Sequence, residues 1–194
     1  GDKTKDKVMI LPPVEQYLIS KEKRLFKGFE NYEEVTRMVY DLETTALEPQ
    51  HGRIFMIGIK TNKGYHRVIE CMDESEERNA IIEFFKVINE LKPSIIGGYN
   101  SANFDWHWIF ERCRILGIDP KKICKSLHPD HSFTRKDSML KLANEVENFT
   151  QTSIWGYNVI DIIHAVRRAQ AINSSIKAAG LKYITQFINA EAPD

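Results

Sequence analysis

The sequence is poor in the features on which several large classes of protein depend. It has three cysteines, Cys71, Cys113 and Cys124, whose odd number and spacing argue against a disulfide framework and favour a reducing compartment. No apolar run approaches the roughly 20 residues that a membrane-spanning helix requires. There is no Gly-rich phosphate loop ending in Lys-Ser or Lys-Thr, and no Gly-x-Ser-x-Gly elbow. We therefore expect a cytoplasmic protein of a bacterium or of a phage in its host, with no membrane partner, and exclude P-loop nucleotide hydrolases and elbow-type serine hydrolases.

Net charge is also lacking, because 27 basic side chains balance 27 acidic ones. A protein that only clamps nucleic acid is usually basic, so any such binding must depend on local patches or on bound metal. One basic cluster lies in a polar, irregular stretch at residues 119–153. It could steer a phosphate backbone, and a solvated loop is the equal alternative; its members are Lys121, Lys122, Lys125, Arg135 and Lys136.

The hydrophobic content of 42% is enough for a core, and 194 residues fit one domain with a short extension. We predict a lead-in segment at residues 1–34 and a single α/β domain at residues 35–194. Period-two and period-3.6 patterns alternate along that domain. They predict strands at 37–43, 54–59, 65–69, 94–99 and 155–163 and helices at about 75–91, 103–116, 166–171 and 175–188, with a possible short hairpin or helix near 139–146.

The most informative stretch is Asp-Leu-Glu-Thr-Thr at residues 41–45. A strand repeats every two residues, so Asp41 and Glu43 point the same way, with Cα atoms roughly 6.5–7 Å apart. Two carboxylates on one face of a core-forming strand are costly unless a cation lies between them, and a hard divalent ion prefers oxygen ligands. An exposed strand end, where both acids are merely solvated, is an equally good explanation of this pair alone.

A second stretch, Tyr-Asn-Ser-Ala-Asn-Phe-Asp at residues 99–105, lies where a strand is predicted to turn into a helix. Asp105 would sit in the first helical turn, where an acid usually does no more than stabilise the helix dipole. Asn100 and Asn103 could likewise be ordinary turn or cap residues.

Together, the two stretches resemble the first two motifs of DEDD-type 3′→5′ exonucleases, and their wording is most similar to that of family B DNA polymerases. The resemblance runs from about Val35 to Ile188. It implies an RNase H-like fold, with a central mixed β-sheet, made of a three-strand antiparallel meander plus parallel strands, flanked by helices. It also implies a proofreading exonuclease that releases nucleoside 5′-monophosphates with the help of two divalent metal ions, Mg²⁺ or Mn²⁺.

The resemblance implies a role for each matching position. Asp41 would bridge both metals, Glu43 would complete the tighter site, and Asp105 would serve the second site. For the substrate, Asn100 would hold the terminal nucleotide, Phe104 would pack beside the site, and the backbone around Thr44 would meet the 3′ end. The implied partners are a single-stranded or frayed 3′ end of DNA and a polymerase domain of the same parent chain.

The third motif of that family, Tyr-x-x-x-Asp on a late helix, has no clear match. Tyr157 and Asp161 have the right letters, but β-branched Val159 and Ile160 between them favour a strand. A strand-end Asp that supports a neighbouring segment is the preferred interpretation. We therefore expect the chain to stop before the motif, to bind metal weakly and to cut poorly.

Two alternatives remain open at this point, a stand-alone exonuclease acting on DNA or RNA and a non-catalytic RNase H-like module that binds nucleic acid. A zinc site at Cys124, His128 and His131 is disfavoured because the spacing fits no standard ligand set.

Overall fold

The computed structural model describes residues 11–24, 31–123, 133–142 and 145–189. The chain divides into two units, Gly1–Val35 and Thr36–Asp194. The first unit contains helix α1 (Pro13–Ser20), which begins after Pro12, and a 3₁₀ turn (Tyr32–Glu34) capped by the side chain of Asn31. The second unit contains β1 (Arg37–Thr44), β2 (Ile54–Thr61), β3 (His66–Glu70), α2 (Glu74–Leu91), β4 (Ile95–Gly98), α3 (Asp105–Ile115), α4 (Pro120–Ile123), β5 (Phe133–Lys141), β6 (Val146–Ile154), β7 (Asn158–Asp161), α5 (Ile162–Ile172) and α6 (Leu181–Phe187).

The main sheet has the strand order β3-β2-β1-β4-β7. Strands β1, β2 and β3 form an antiparallel meander, whereas β4 pairs in parallel with both β1 and β7. Two parallel strands need a crossover connection. The connection from β1 to β4 includes β2, β3 and α2, and the connection from β4 to β7 begins with α3. The predicted mixed sheet with flanking helices is therefore confirmed.

The core lies on the face of the sheet that α2 and α3 cover. Tyr40 of β1 stands at its centre, with its ring 5.1 Å from the ring of Phe84 and 5.1 Å from that of Trp106. Met38 and Leu42 flank Tyr40 on the same face and are also buried. Because side chains alternate along a strand, burial of these three residues turns the intervening ones toward the other face.

A two-stranded hairpin, β5–β6, occupies most of the stretch predicted to be irregular. A hairpin near 139–146 was one of two possibilities, but the strands extend well beyond those residues. Each strand has nine residues. The base of the hairpin, the open end at which β5 begins and β6 ends, joins the core. There the cross-strand partners Phe133 and Ile154 are 7% and 4% exposed. The Phe133 ring stacks on Phe110 of α3 with centroids 4.3 Å apart, which anchors the hairpin to that helix.

The C-terminal helices differ in extent from the prediction. Helix α5 begins at Ile162, earlier than expected, whereas α6 is confined to Leu181–Phe187. Gly180 before α6 has an extended backbone, with φ −65° and ψ 140°, which interrupts the predicted longer helix. No helix among the described residues is long and apolar enough to cross a membrane.

Candidate active site

Both acids of the first motif lie on the exposed face of β1. Burial alternates along the strand, with Met38, Tyr40 and Leu42 inside and Asp41 and Glu43 outside. The two carboxylates therefore share one face, as the period-two pattern predicts. Strand β1 has a register shift against β2 between Glu43 and the next residue, so this end of the strand leaves regular pairing directly after the second acid.

Asp105 is the first residue of α3 and is 3% exposed. Its Oδ1 atom is buried and has no hydrogen-bond partner. Burial, followed by repulsion from Asp41, raises the pKa of Asp105 to about 7; the backbone amides of Asp105 and Leu42 lower it, and Asp161 raises it further. The structure thus brings Asp41 and Asp105 within electrostatic range of each other and leaves the Oδ1 atom of the buried acid without a hydrogen-bond partner.

The turn between β4 and α3 carries the remaining residues of the second motif. Asn100 is exposed and has a left-handed backbone, with φ 59°, a conformation that Asn tolerates better than most residues. Phe104 is half-buried, and its ring lies 6.3 Å from that of Trp108. Thr44, at the end of β1, donates its hydroxyl hydrogen to the carbonyl of Ala46 at 2.9 Å.

Tyr157 directly precedes β7 and Asp161 is its last residue, so the Tyr-x-x-x-Asp sequence falls on a strand rather than a helix. The Asp161 carboxylate accepts hydrogen bonds from three backbone amides, those of Asn100 at 2.8 Å, Ala102 at 2.8 Å and Ile163 at 3.1 Å. This arrangement makes Asp161 a support of the β4–α3 turn and the N-cap of α5. A catalytic role for Tyr157 and Asp161 stays a prediction.

Comparison with known proteins decides the family. The family model described as "DNA polymerase family B, exonuclease domain" matches residues 14–183 of the chain. This chain belongs to that family. Domains of the family are 3′→5′ exonucleases that use divalent metal ions.

The relatives are DNA polymerases, and all are much longer than this exonuclease domain. The chain is 31% identical over 85 residues to DNA polymerase 2 of Aeropyrum pernix, covering 42% of this chain and 10% of that protein. It is 35% identical over 92 residues to the catalytic subunit of DNA polymerase epsilon from Aspergillus fumigatus, covering 47% and 4%. It is 32% identical over 120 residues to the DNA polymerase of Thermococcus kodakarensis, covering 56% and 7%. The chain thus spans a tenth or less of these relatives.

A solved structure shares the fold. The family B DNA polymerase of the hyperthermophilic archaeon Pyrobaculum calidifontis matches with a TM-score of 0.59 and 20% identity, over 79% of this chain and 18% of that one. The main interpretation of the sequence, an exonuclease domain of a family B polymerase, is favoured over both alternatives.

The residues present fit a divalent cation in part. A buried carboxylate oxygen without a partner, within electrostatic range of a second carboxylate, is a group that a cation would satisfy. Within the described residues, however, no three His, Cys, Asp or Glu side chains are arranged to hold a metal ion as they stand. The geometry therefore supports Asp41 and Asp105 as a pair of candidate cation ligands. Glu43 lies two residues beyond Asp41 on the exposed face of β1.

Two sequence-based candidates fall wholly or partly outside the described residues. The disfavoured zinc set of Cys124, His128 and His131 lies outside them, and so does Lys125 of the basic cluster. Arg135 lies within them, and its guanidinium donates a hydrogen bond to the carbonyl of Ala102.

One buried ion pair was missed by sequence reasoning. Arg112 of α3 binds both carboxylate oxygens of Glu77 in α2, through Nε at 2.8 Å and Nη2 at 2.5 Å, and its Nη1 donates to the carbonyl of Pro49 at 3.0 Å. Glu77 also accepts from the amide of Ile54 at 2.8 Å. The pair therefore ties both helices to the β1–β2 connection that follows the first motif. The sequence contained a signal for this ion pair, because Glu77 lies on the apolar face of α2, where an acid requires a buried partner.

Proposed function

We propose that this domain removes nucleotides one at a time from the 3′ end of DNA, with two divalent cations, Mg²⁺ or Mn²⁺, held by Asp41, Glu43 and Asp105. The observation that carries the proposal is the unpartnered, buried Oδ1 of Asp105 beside Asp41. A protein that only needed a stable fold would not keep an acid there, since a neutral side chain would avoid both the burial cost and the repulsion.

The chain's own residues divide the work. Asp41 would contribute to holding both cations, Glu43 would complete the tighter position and Asp105 would serve the other. Cations at these positions supply the activation of a water molecule and the stabilisation of the leaving 3′ oxygen. Asn100, exposed on its left-handed turn, holds the terminal nucleotide, while Phe104 packs beside it and the backbone around Thr44 meets the 3′ end.

The substrate that we propose is a single-stranded or frayed 3′ end of DNA, delivered by a polymerase domain of the same parent chain. The support for this partner is that the relatives are DNA polymerases of which the chain spans a small share. Cytoplasmic location in a bacterium or phage-infected host stays a prediction.

The proposal is tested by incubating the chain with 5′-labelled single-stranded DNA and Mn²⁺ while Mn²⁺ uptake is titrated separately. We expect uptake and slow, stepwise shortening from the 3′ end, and we expect Asp41→Asn to abolish both. Glu90→Gln, at an exposed acid of α2, is the matched control and should change neither.

Absence of Mn²⁺ uptake, or equal shortening by the wild-type chain and Asp41→Asn, would contradict the proposal. Rapid digestion would instead support Asp161 as a fourth catalytic carboxylate, because the expected slow shortening assumes that only Asp41, Glu43 and Asp105 take part.

A further inference from the structure

The turn that carries Asn100 and Asp105 is held by a side chain from the hairpin. Arg135, the third residue of β5, donates from Nη2 to the carbonyl oxygen of Ala102 at 2.6 Å. Its Nη1 lies 3.4 Å from Nδ1 of His107, and its guanidinium carbon lies 5.7 Å from the centre of the Phe110 ring. Arg135 is half-buried and, among the described residues, has no carboxylate within ion-pair distance. Its charge is therefore directed at one backbone carbonyl and two rings.

The same residue, Ala102, is also held through its amide. Its amide donates to Oδ2 of Asp161 at 2.8 Å, and the amide of Asn100 donates to Oδ1 at 2.8 Å. Ala102 is 5% exposed, so water cannot readily replace the hydrogen bond of its amide or that of its carbonyl. The turn is thus fixed between an acid at the end of β7 and a base on β5, and Asn100 keeps a left-handed backbone that the surrounding structure must support.

We propose that Arg135 is a positioning residue of the nuclease site. By holding the Ala102 carbonyl it keeps Asn100 and Asp105 in the orientation that substrate and cation require, and it couples that orientation to the β5–β6 hairpin. The functional consequence rests on the proposed function, whereas the clamp on Ala102 rests on the geometry alone.

Arginine suits this position better than lysine. A guanidinium has five donors in a planar fork and stacks on aromatic rings, so it can serve the Ala102 carbonyl, the His107 ring and the Phe110 ring together. A lysine ammonium can reach the carbonyl but cannot make all three contacts at once. We therefore expect Arg135→Lys to restore part of what Arg135→Met loses.

The first test measures amide hydrogen exchange in the metal-free chain. In Arg135→Met we expect the amides of Asn100 and Ala102 to exchange on the order of tenfold to a hundredfold faster, which corresponds to the loss of one hydrogen bond from a charged donor. Amides of α2 should keep their protection, and Arg135→Lys should fall between the wild type and Arg135→Met. Lys136→Met, at the exposed neighbour on the other face of β5, is the matched control and should leave the turn unchanged.

Unchanged exchange at the turn in both Arg135 variants would overturn the proposal. If Arg135→Met unfolds throughout, Arg135→Lys decides the question, since it keeps the charge and much of the side-chain length. Faster exchange confined to the turn in Arg135→Lys would then support the clamp.

The second test separates positioning from direct contact with DNA. Positioning predicts weaker Mn²⁺ binding in Arg135→Met than in Lys136→Met, with the salt dependence of single-stranded DNA binding unchanged. A phosphate contact predicts unchanged Mn²⁺ binding and a log–log salt slope smaller by about 0.7, and that result would overturn the proposal. If the wild-type chain takes up no Mn²⁺, the proposed function fails, while the exchange experiment still decides whether the clamp exists.

Discussion

Replacing Asp105 with Asn should change the stability of the metal-free protein in a pH-dependent way. In the unfolded chain an Asp has a pKa near 3.8, and in the folded chain the pKa of Asp105 is raised to about 7. The folded state therefore binds the proton more tightly. The stability that this proton contributes is fully present below pH 3.8 and is lost as the pH rises through 7.

The size of the effect follows from the shift. A difference of about 3 pKa units corresponds to about 4 kcal/mol between the two protonation states. Asn cannot ionise, so Asp105→Asn avoids this loss. Relative to the wild type, we expect the variant to gain up to about 4 kcal/mol in unfolding free energy between about pH 4 and about pH 8.5, on top of a constant offset for exchanging a carboxyl group for an amide.

The assay is urea denaturation in EDTA at a series of pH values, with Glu90→Gln as the control at an exposed acid. The difference between wild type and control should not vary with pH. Addition of Mn²⁺ should narrow the stability difference between the variant and the wild type above about pH 7, because only the wild type gains binding energy, about 2.7 kcal/mol at one hundred times the dissociation constant. A stability difference for Asp105→Asn that is the same at every pH would refute the claim that this acid is destabilised by burial and by Asp41.

Three further changes test other parts of the structure. Arg112→Met leaves the buried Glu77 carboxylate without its partner and should lower the unfolding free energy in urea by about 3–5 kcal/mol, whereas Arg114→Met, in an exposed pair, should cost less than about 1 kcal/mol. Equal losses would contradict the importance of the buried pair. Asp161→Asn replaces one of the two acceptor oxygens with an amide nitrogen, which leaves a backbone amide without its acceptor and should cost about 1–3 kcal/mol. Complete loss of Mn²⁺ binding at unchanged stability would instead make Asp161 a ligand. Phe133→Ala should lower stability by about 3–5 kcal/mol and raise exchange in β5 and β6, and unchanged hairpin protection would rule out Phe133 as its anchor.

Much of the fold can be predicted from the sequence because its elements are strongly periodic. The alternation in β1, the apolar run of β2 and the helical stripe of α2 each bury one face against the same core, so local pattern and tertiary packing agree. The placement of Asp41 and Glu43 on one exposed face follows from the same alternation.

The full length of the hairpin could not be predicted, because its two ends are buried by different neighbours. Near the base, Phe133 packs against α3, and further along, Phe149 of β6 contacts the His164 ring of α5, with centroids 4.2 Å apart. These two residues lie on opposite faces of the hairpin, so neither strand shows a continuous apolar alternation. The predicted helix at 175–188 began too early, because Ile176 and Ala179 continue the apolar periodicity of α6 although the extended backbone of Gly180 interrupts the helix.

The site depends on long-range contacts that no local pattern reveals. The repulsion between Asp41 and Asp105 and the clamp of Arg135 on Ala102 each join segments more than 30 residues apart. The motifs drew attention to Asp41, Glu43 and Asp105, but the burial of Asp105 became evident only from the packing of α3 against β1.

A crystal of the chain soaked in Mn²⁺ above about pH 7, with anomalous diffraction measured at the manganese edge, tests directly whether Asp41 and Asp105 hold a cation. We predict an anomalous peak between the carboxylates of Asp41 and Asp105, within coordination distance of the Oδ1 atom that now has no partner. A fully occupied peak elsewhere, or no peak with Asp105 still buried and unpaired, would contradict this prediction.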